Sequence, residues 1–363
     1  MASGPIQGAQ APATRGDNGR HARRILRRRL LVAISLALTA LALALAMALA
    51  IGANETHSPP WIDWTTYADA LHRLVNGGPI YDSRQITGPY TLPEITTTGY
   101  VYAPASLLLF APFGSQPIGL AAWLTLNVAI LVSGLYAILR RELGDDGILF
   151  LGIAILPVVL WIGFLNGLTA GNVTIGLSGV LAWAWAAGRG RTSPAAIALI
   201  GVAKMFPAVL VCWTTPSRLI RSAFTAGLIT GAWILITLPM VGLNSWADFI
   251  RAMGNAQPTC SWGTSVPCLL QPALGVSLAK LAAILLAGAL GLGAVFVRSD
   301  LLAFTMIALA WTVPLPDVID YSLLPLVVVG VVVFAIAVRR LRSREFGIAG
   351  VALGRLTSVR GRD

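Results

Sequence analysis

Long apolar stretches alternate with short polar connections along most of this chain, and the alternation predicts helices that cross a membrane. A crossing helix needs about 20 apolar residues to span the hydrocarbon core. We interpret eight stretches as full crossings: residues 30–51, 118–139, 147–166, 168–187, 222–241, 272–297, 301–316 and 321–338. The pattern predicts an all-α polytopic membrane protein.

The apolar stretch at residues 194–213 does not fit a simple crossing. Arginines flank it on both sides, yet it is long enough for only one passage. A re-entrant hairpin that enters and leaves on one side resolves this conflict. Its break is expected at Lys204-Met205-Phe206-Pro207, because proline ends a helix. Two tight crossings are the alternative.

The segment at residues 53–104 is mostly polar and lies between apolar stretches. Large apolar side chains recur within it at the spacing of one helix face, at Trp64, Tyr67, Leu71 and Leu74. Asp63 stands where a helix N-cap is expected, and the run Asn76-Gly77-Gly78-Pro79 predicts the helix end. We therefore expect an external first loop that carries an amphipathic helix beside the membrane.

Composition and charge strengthen the membrane interpretation. The 363 residues are 56% hydrophobic and 11% charged, with a mean hydropathy of +0.76, which exceeds what a water-soluble core requires. Of the 24 arginines, only Arg73, Arg84 and Arg251 lie outside the two ends of the chain and the short connections. This asymmetry follows the positive-inside rule and predicts that both termini are cytoplasmic. It also explains the net charge of +11 without a nucleic-acid partner.

The charge pattern divides the chain into three parts. Residues 1–29 form a basic cytoplasmic arm, predicted to be disordered, and residues 339–363 form a basic cytoplasmic tail. Residues 30–338 form the transmembrane domain, with external loops at 53–104 and 242–271. A cleavable signal peptide is an alternative for the first apolar stretch, because Ala48-Leu49-Ala50 resembles a cleavage site. That stretch is longer than the usual signal core.

Two charged residues are candidates for chemistry. Asp63 is either a catalytic carboxylate or a helix cap, and the cap is the commoner role for a lone Asp before a helix. Lys204 falls in a membrane hairpin, where an ammonium group is costly. It therefore either contacts an anionic group such as phosphate or snorkels to the surface. Lys280, in the outer part of a continuous apolar stretch, is interpreted as structural.

Other polar residues collect on the predicted outer side, among them Asn172, Asp317 and Asp320. The i, i+3 spacing of Asp317 and Asp320 lets both face one site, or marks the polar end of a crossing. The run Tyr100-Val101-Tyr102 is compatible with anchoring at the headgroup zone. His72 has no partner at metal-ligand spacing, so no metal site is expected.

The cysteines suggest one disulfide. Cys260 and Cys268 share the second external loop, where an oxidising compartment permits pairing across a short turn. Cys212, inside the hairpin, is interpreted as an inert apolar filler.

A series of short motifs follows one order along the chain. They are Asp63-Trp64 with Tyr67 and Ala70, the Gly-x-x-Tyr-Asp turn at 78–82, the aromatic segment at 100–104, the Gly-Asn element at 171–174 and the Lys-x-x-Pro break at 204–207. Together they resemble glycosyltransferase family 87. This family comprises polytopic GT-C enzymes of actinobacterial membranes that use polyprenyl-phosphate sugars on the outer face.

The resemblance implies a GT-C-like fold and an inverting transfer that needs no cofactor, since the lipid-phosphate donor carries its own leaving group. It implies mannose, or alternatively arabinose, as the sugar and a cell-envelope glycolipid or glycan as the acceptor. Asp63 suits the general base and Lys204 the departing phosphate. The residues expected to contact substrate are Tyr67, Tyr102, Asn172, Asp317 and Asp320, with Lys204.

The last outer segment departs from the family pattern. The family commonly has Ser-Pro-x-Ser-Trp-x-His-Tyr, whereas this chain has Asp320 at the histidine position, directly before Tyr321. This difference affects the expectation, taken from the family pattern, that the last outer loop interacts with the donor phosphate. Two rival classes remain: a secondary transporter that uses Asp317, Asp320 and Lys204 as intramembrane charges, and a non-catalytic envelope assembly protein. The large aromatic first loop and the missing internal repeat argue against a transporter.

Overall fold

The computed structural model describes residues 15–56, 61–95, 99–114, 118–258, 260, 265–315 and 320–359. These residues are mostly helical, as the apolar pattern predicts. The α-helices are α1 (Arg15–Thr56), α2 (Ile62–Val75), α3 (Ser83–Thr87), α4 (Leu107–Phe110), α5 (Ile118–Leu143), α6 (Leu151–Leu160), α7 (Ile162–Ala170), α8 (Thr174–Ala187), α9 (Pro194–Ala203), α10 (Pro216–Asn255), α11 (Val266–Phe296), α12 (Asp300–Thr312) and α13 (Leu324–Val359). Short 3₁₀ segments lie at Leu92–Ile95, Pro104–Ser106, Ala111–Phe113, Gly144–Phe150, Phe206–Cys212 and Asp320–Leu323.

Five helical segments of the described chain are long and apolar enough to cross a membrane. They are Ile25–Ala53, Ile118–Leu160, Pro216–Asn255, Val266–Phe296 and Tyr321–Ser343. Shorter apolar helices lie at Pro104–Phe113, Thr174–Ala187, Pro194–Ala203 and Asp300–Thr312. By length and composition the structure thus supports a polytopic membrane protein, with fewer long helices than the eight predicted crossings.

Part of this difference arises because the predicted crossings at 118–139 and 147–166 lie largely in one continuous helical segment, Ile118–Leu160. Breaks in helix geometry change the bounds of other predicted segments. Trp161 is extended (ψ 130°) and separates α6 from α7, inside the stretch predicted as one crossing at 147–166. Gly242 (φ 75°) kinks α10 and Gly275 (φ 72°) kinks α11. Glycine adopts these left-handed conformations without steric penalty. The part of α10 beyond Gly242 therefore occupies the start of the loop predicted at 242–271.

Buried polar contacts lock helices together within the bundle. Asn127 of α5 accepts a hydrogen bond from the backbone N–H of Gly176 in α8 at 3.0 Å. Ser35 of α1 donates to the Ile148 carbonyl at 2.8 Å and accepts from the Gly152 N–H at 3.0 Å. In an apolar surrounding these small polar side chains favour close helix approach and one register.

Many arginines in the described residues gather at one end of the bundle, here called the basic end. Arg28 of α1 and Arg342 of α13 both contact Asp146, at 3.5 Å and 2.6 Å. Arg189, which follows α8, donates to three backbone carbonyls at the end of α11 and lies 3.9 Å from Asp300 of α12. The residues predicted to face the cytoplasm thus share one side.

The predicted cytoplasmic arm at residues 1–29 lies partly within the described residues. The structure has helix from Arg15 onward, as the start of α1, and residues 1–14 lie outside the described residues. At the other end, α13 continues through the predicted tail to Val359.

The two predicted external loops pack on each other and supply a small departure from an all-α fold. Two-residue strands β1 (Tyr90–Thr91) and β2 (Ala256–Gln257) pair in parallel, and the Asn255 side chain donates to the carbonyls of Gln85 and Ile86. The structure contains the predicted Cys260–Cys268 disulfide, and Cys212 is buried and free. Lys280 donates to the carbonyls of Gly254 and Ala256, which agrees with its predicted structural role.

Candidate active site

Helix α2 carries the first site residue. Its buried side chains include Trp64 and Tyr67, so the predicted apolar face is confirmed. It ends at Asn76, followed by Gly77 in the left-handed region (φ 73°), as the Asn-Gly-Gly-Pro run predicts. The predicted N-cap is wrong, because Trp61 is the cap residue and Asp63 is the second residue of the helix. The Asp63 carboxylate is instead directed to another part of the chain.

Asn172 is the partner of that carboxylate. Its Nδ2 donates to Asp63 Oδ2 at 2.6 Å, and its Oδ1 accepts from the Thr174 N–H at 2.7 Å. The preceding helix, α7, ends at Gly171 with φ 72°. A Cβ at Gly171 would lie 2.9 Å from the Cβ of Trp64. Glycine therefore allows both the turn and the close approach of α2.

The tyrosines form a wall beside Asn172. Tyr67 donates to the Tyr102 hydroxyl at 2.9 Å, and Asn172 Nδ2 lies 3.4 Å from the same hydroxyl. Tyr100 and Tyr102 are both buried, so the aromatic run packs in the core instead of anchoring at a membrane surface. Tyr67 also stacks on Phe110, with ring centroids 4.2 Å apart. These contacts place phenol oxygens around the Asp63–Asn172 pair.

Lys204 approaches the Asp63–Asn172 pair from a different part of the chain. It follows α9 with extended geometry (φ −156°, ψ 125°), so the helix breaks where the Lys-Met-Phe-Pro run predicts. Its Nζ donates to Thr174 Oγ1 at 3.1 Å. The N–H of Gly190 donates to the Trp213 carbonyl at 3.0 Å, so the chain returns to the point where it left. The contact shows a hairpin. Its entry into a membrane from one side stays a prediction, with two tight crossings as the alternative.

A continuous series of hydrogen bonds results, here called the site chain: Lys204 to Thr174, Thr174 to Asn172, and Asn172 to Asp63. No direct ion pair joins Lys204 to Asp63 in the part of the chain that the structure describes. The arrangement therefore keeps an ammonium group and a carboxylate near each other but separate.

The surroundings alter the acidity of Asp63. Its side chain keeps part of its surface accessible, yet dense protein around it removes most of its hydration. Burial raises the pKa of the Asp63 carboxyl above its ordinary value. The Asn172 hydrogen bond, the Lys204 charge and the Tyr321 hydroxyl oppose this rise in pKa. A carboxylate with a raised pKa is a better proton acceptor, which suits a general base.

Two site residues escape prediction from sequence. Thr174 belongs to the Gly-Asn element, but the sequence pattern assigns it no role. Its hydrogen bonds to Lys204 and Asn172 become visible only in the three-dimensional structure. Tyr321 places its hydroxyl beside Asp63. Tyr321 packs closely against α7, as shown by the 2.9 Å that would separate a Cβ at Gly167 from the Tyr321 Cβ. Tyr321 could have been identified from the sequence, because it occupies the tyrosine position at the end of the last family motif.

Nothing in the described structure tests the prediction that Asp317 and Asp320 contact substrate. Asp317 lies outside the described residues. Asp320 begins the 3₁₀ segment that carries Tyr321, and its side chain also lies outside what is described. His72 contacts only Asn76 through its ring. Among the described residues, no group of three or more His, Cys, Asp or Glu side chains is placed to hold a metal ion.

The helical bundle and its polar site indicate a polytopic membrane protein in which Asn172 and Thr174 link a carboxylate to a lysine. The family model described as glycosyltransferase family 87 matches residues 100–269, just under half of the chain. This match confirms the predicted family resemblance, and the chain is a glycosyltransferase-like membrane protein. No curated protein and no solved structure matches the chain.

The matched residues contain only part of the site. Tyr102, Asn172, Thr174 and Lys204 lie inside the matched range, whereas Asp63 lies before it. The hydrogen bond from Asn172 therefore connects the proposed base to the part of the chain that carries the family likeness.

Proposed function

We propose that this protein is an inverting glycosyltransferase. It transfers mannose from a polyprenyl-phosphate donor to a cell-envelope glycolipid or glycan on the outer face of the plasma membrane. The observation that carries the proposal is the site chain, which brings Asp63 and Lys204 to one place from distant parts of the sequence. Asp63, at one end of the site chain, supplies a base, and Lys204, at the other end, supplies a positive charge. Such a transfer requires both groups.

Asp63 is the proposed general base. It takes the proton from the acceptor hydroxyl as that oxygen forms a bond to the anomeric carbon of the sugar. The bond from the anomeric carbon to the phosphate oxygen breaks on the opposite face, so the configuration inverts. The raised pKa of the Asp63 carboxyl supports this role, since proton transfer is most effective when the base is not too weak.

Lys204 is the proposed partner of the phosphate. The departing polyprenyl phosphate carries the bonding electrons away as negative charge, and a fixed ammonium group stabilises that charge as it develops. Thr174 holds the ammonium group through its Oγ1 at 3.1 Å, which limits the positions that Nζ can occupy. No cofactor is required in this scheme, because the donor already carries an activated leaving group.

An apolar cavity supports a lipid-linked donor. It has a volume of about 310 Å³ and lies between α1, α5 and α7. Met47, Val128 and Phe164 are among its lining residues, and Leu168 lines it one turn before Asn172. An isoprenoid chain in this cavity would reach the site end of α7.

The helices support the proposed outward orientation of the site. Thr174 lies at the first residue of α8, whereas the last residues of that helix lead to Arg189 at the basic end. A helix of 14 residues is about 21 Å long, so the site chain and the basic end are well separated. With the basic end in the cytoplasm, the site chain faces outward.

The test uses purified protein in liposomes with labelled polyprenyl-phosphate mannose and, separately, polyprenyl-phosphate arabinose. The acceptor is a lipid extract from a strain that lacks the protein, in which truncated glycolipid accumulates. We expect label to move from the mannose donor to that glycolipid. Transfer from the arabinose donor alone would show that the transferred sugar is arabinose and not mannose. A complete absence of transfer from both donors by folded protein would contradict the proposal.

A further inference from the structure

A second cavity lies at the basic end, far from Asp63. Its volume is about 620 Å³, and it opens between the end of α5, the start of α12 and α13. Its lining combines charged side chains with apolar ones. The proposed transfer reaction uses none of these residues.

The anionic groups of the wall are already matched. Glu142 is buried, with Oε1 accepting from Trp185 Nε1 at 3.1 Å and Oε2 lying 2.7 Å from Arg339 Nη1. Asp300 lies 3.9 Å from Arg189. These contacts neutralise both carboxylates of the cavity wall.

Positive charge remains on the same wall. The guanidinium of Arg141 lies 4.9 Å from the centre of the Trp185 ring, and its Nε lies 3.7 Å from Glu142 Oε1, so Arg141 and Arg339 share one carboxylate. The Arg340 side chain has neither an ion pair nor a hydrogen bond to any residue that the structure describes. The described lining therefore carries three guanidinium groups, on Arg141, Arg339 and Arg340, for the single carboxylate of Glu142, because Asp300 is paired with Arg189.

The other wall is apolar and open. Val333, Ala337 and Leu341 share one face of α13 at i, i+4 spacing, and Val333 and Leu341 are 47% and 62% exposed. In a membrane-crossing helix such a stripe lies against acyl chains. Cationic side chains at the end of an acyl-facing stripe match a molecule with an anionic head and an apolar tail.

We propose that this cavity binds the phosphate headgroup of an anionic phospholipid from the cytoplasmic leaflet. Arg340 and Arg141 contact the phosphate, and one acyl chain follows the Val333–Ala337–Leu341 stripe. Because the cavity is lined by α5, α12 and α13, the bound lipid links three helices and stabilises the bundle.

The test measures phosphatidylglycerol binding to the full chain by fluorescence titration in neutral-lipid nanodiscs, together with the melting temperature. Arg340→Gln should weaken binding about fivefold, since a basic residue near a membrane surface contributes about 1 kcal/mol. Arg221→Gln, at an exposed position that does not line the cavity, is the matched control and should bind as wild type. Arg340 forms no ion pair and no side-chain hydrogen bond within the described chain, so its substitution should leave folding intact.

Three outcomes would overturn the proposal. The first is equal phosphatidylglycerol affinity in wild type and Arg340→Gln. The second is an equal loss of affinity in Arg221→Gln, which would indicate attraction by net charge alone. The third is full occupancy by inorganic phosphate without any gain from phosphatidylglycerol, which would assign the site to a soluble phosphate. Binding that requires phosphatidylglycerol and depends on Arg340 supports it.

Discussion

Asn172 donates a 2.6 Å hydrogen bond to Asp63 across a separation of 109 positions in the chain. Its own amide oxygen accepts from the Thr174 N–H at 2.7 Å, which fixes the orientation of the amide. The Asp63 carboxylate therefore meets an N–H group and is held at the start of α2. The first prediction depends on this contact.

Asp63→Asn should lower turnover by roughly 10² or more, because Asn cannot accept the acceptor proton. An Asn side chain still offers an oxygen to the Asn172 N–H. Burial disfavours the ionised Asp63, so removing its charge should preserve or raise the melting temperature at neutral pH. Initial rates of labelled sugar transfer and thermal unfolding measure the two effects.

The matched control for this substitution is Asp69→Asn, at an exposed position of the same helix. It removes an equal charge and should leave turnover unchanged. Near-normal turnover by Asp63→Asn would remove Asp63 from the mechanism.

The pH dependence of transfer should show the raised pKa of Asp63. Activity requires the ionised carboxylate, so kcat/KM should fall as the pH drops through a pKa that lies above the ordinary 3.8. The linked stability has the opposite sign. A folded-state pKa above the unfolded one favours the folded state at low pH, and this contribution is lost as the pH rises through the folded pKa.

Lys204→Met should move the acidic limb of that profile to higher pH, because the Lys204 charge lowers the pKa of Asp63. Lys280→Met should leave the limb in place, since Lys280 contacts backbone carbonyls at the end of α10. An acidic limb at the same pH in wild type and Lys204→Met would show that the two groups do not interact.

Lys204→Met should also reduce kcat/KM for the donor by about 10- to 100-fold, as expected for a lost charged hydrogen bond of about 1.5–3 kcal/mol. Thr174→Val keeps the shape but removes the oxygen 3.1 Å from Lys204 Nζ. It should cause a smaller loss of about fivefold, mainly in the donor KM. Donor titrations at saturating acceptor separate the effects, and an unchanged donor KM in both variants would leave Lys204 as a snorkelling residue.

Ala129→Phe should obstruct the cavity between α1, α5 and α7, which Ala129 lines. We expect the KM for a long-chain polyprenyl donor to rise by roughly fivefold, or about 1 kcal/mol, while the KM for a two-isoprene donor stays the same. Ala232→Phe, at an exposed position of α10, is the control. Equal effects on both donors would show that the cavity does not hold the lipid chain.

Cysteine labelling in intact cells should locate the two ends of the bundle. Cysteines at positions 191 and 218 should react with an impermeant maleimide only after permeabilisation, because both positions lie at the base of the hairpin. A cysteine at the exposed position 244 should react directly. Background is low, since Cys212 is buried and the other two cysteines form the disulfide. Direct labelling at position 218 would contradict the predicted orientation.

Local chemistry made several features of this protein predictable. The end of α2 follows from glycine and proline at 77–79, and the break after α9 follows from Lys204 and Pro207. The disulfide between Cys260 and Cys268 requires only a short turn between two cysteines. In each case a few neighbouring residues limit the backbone, so the sequence pattern carries the information.

The tertiary structure alone decided what Asp63 does. By local rules it is a helix cap, but Trp61 takes that place and the carboxylate bonds to Asn172. Asp63 and Tyr321 join the site through packing at Gly171 and Gly167, where the missing side chains let Trp64 and Tyr321 approach α7. Such contacts depend on the register of whole helices against each other. That register is set by the summed packing of many residues, and no short motif encodes it.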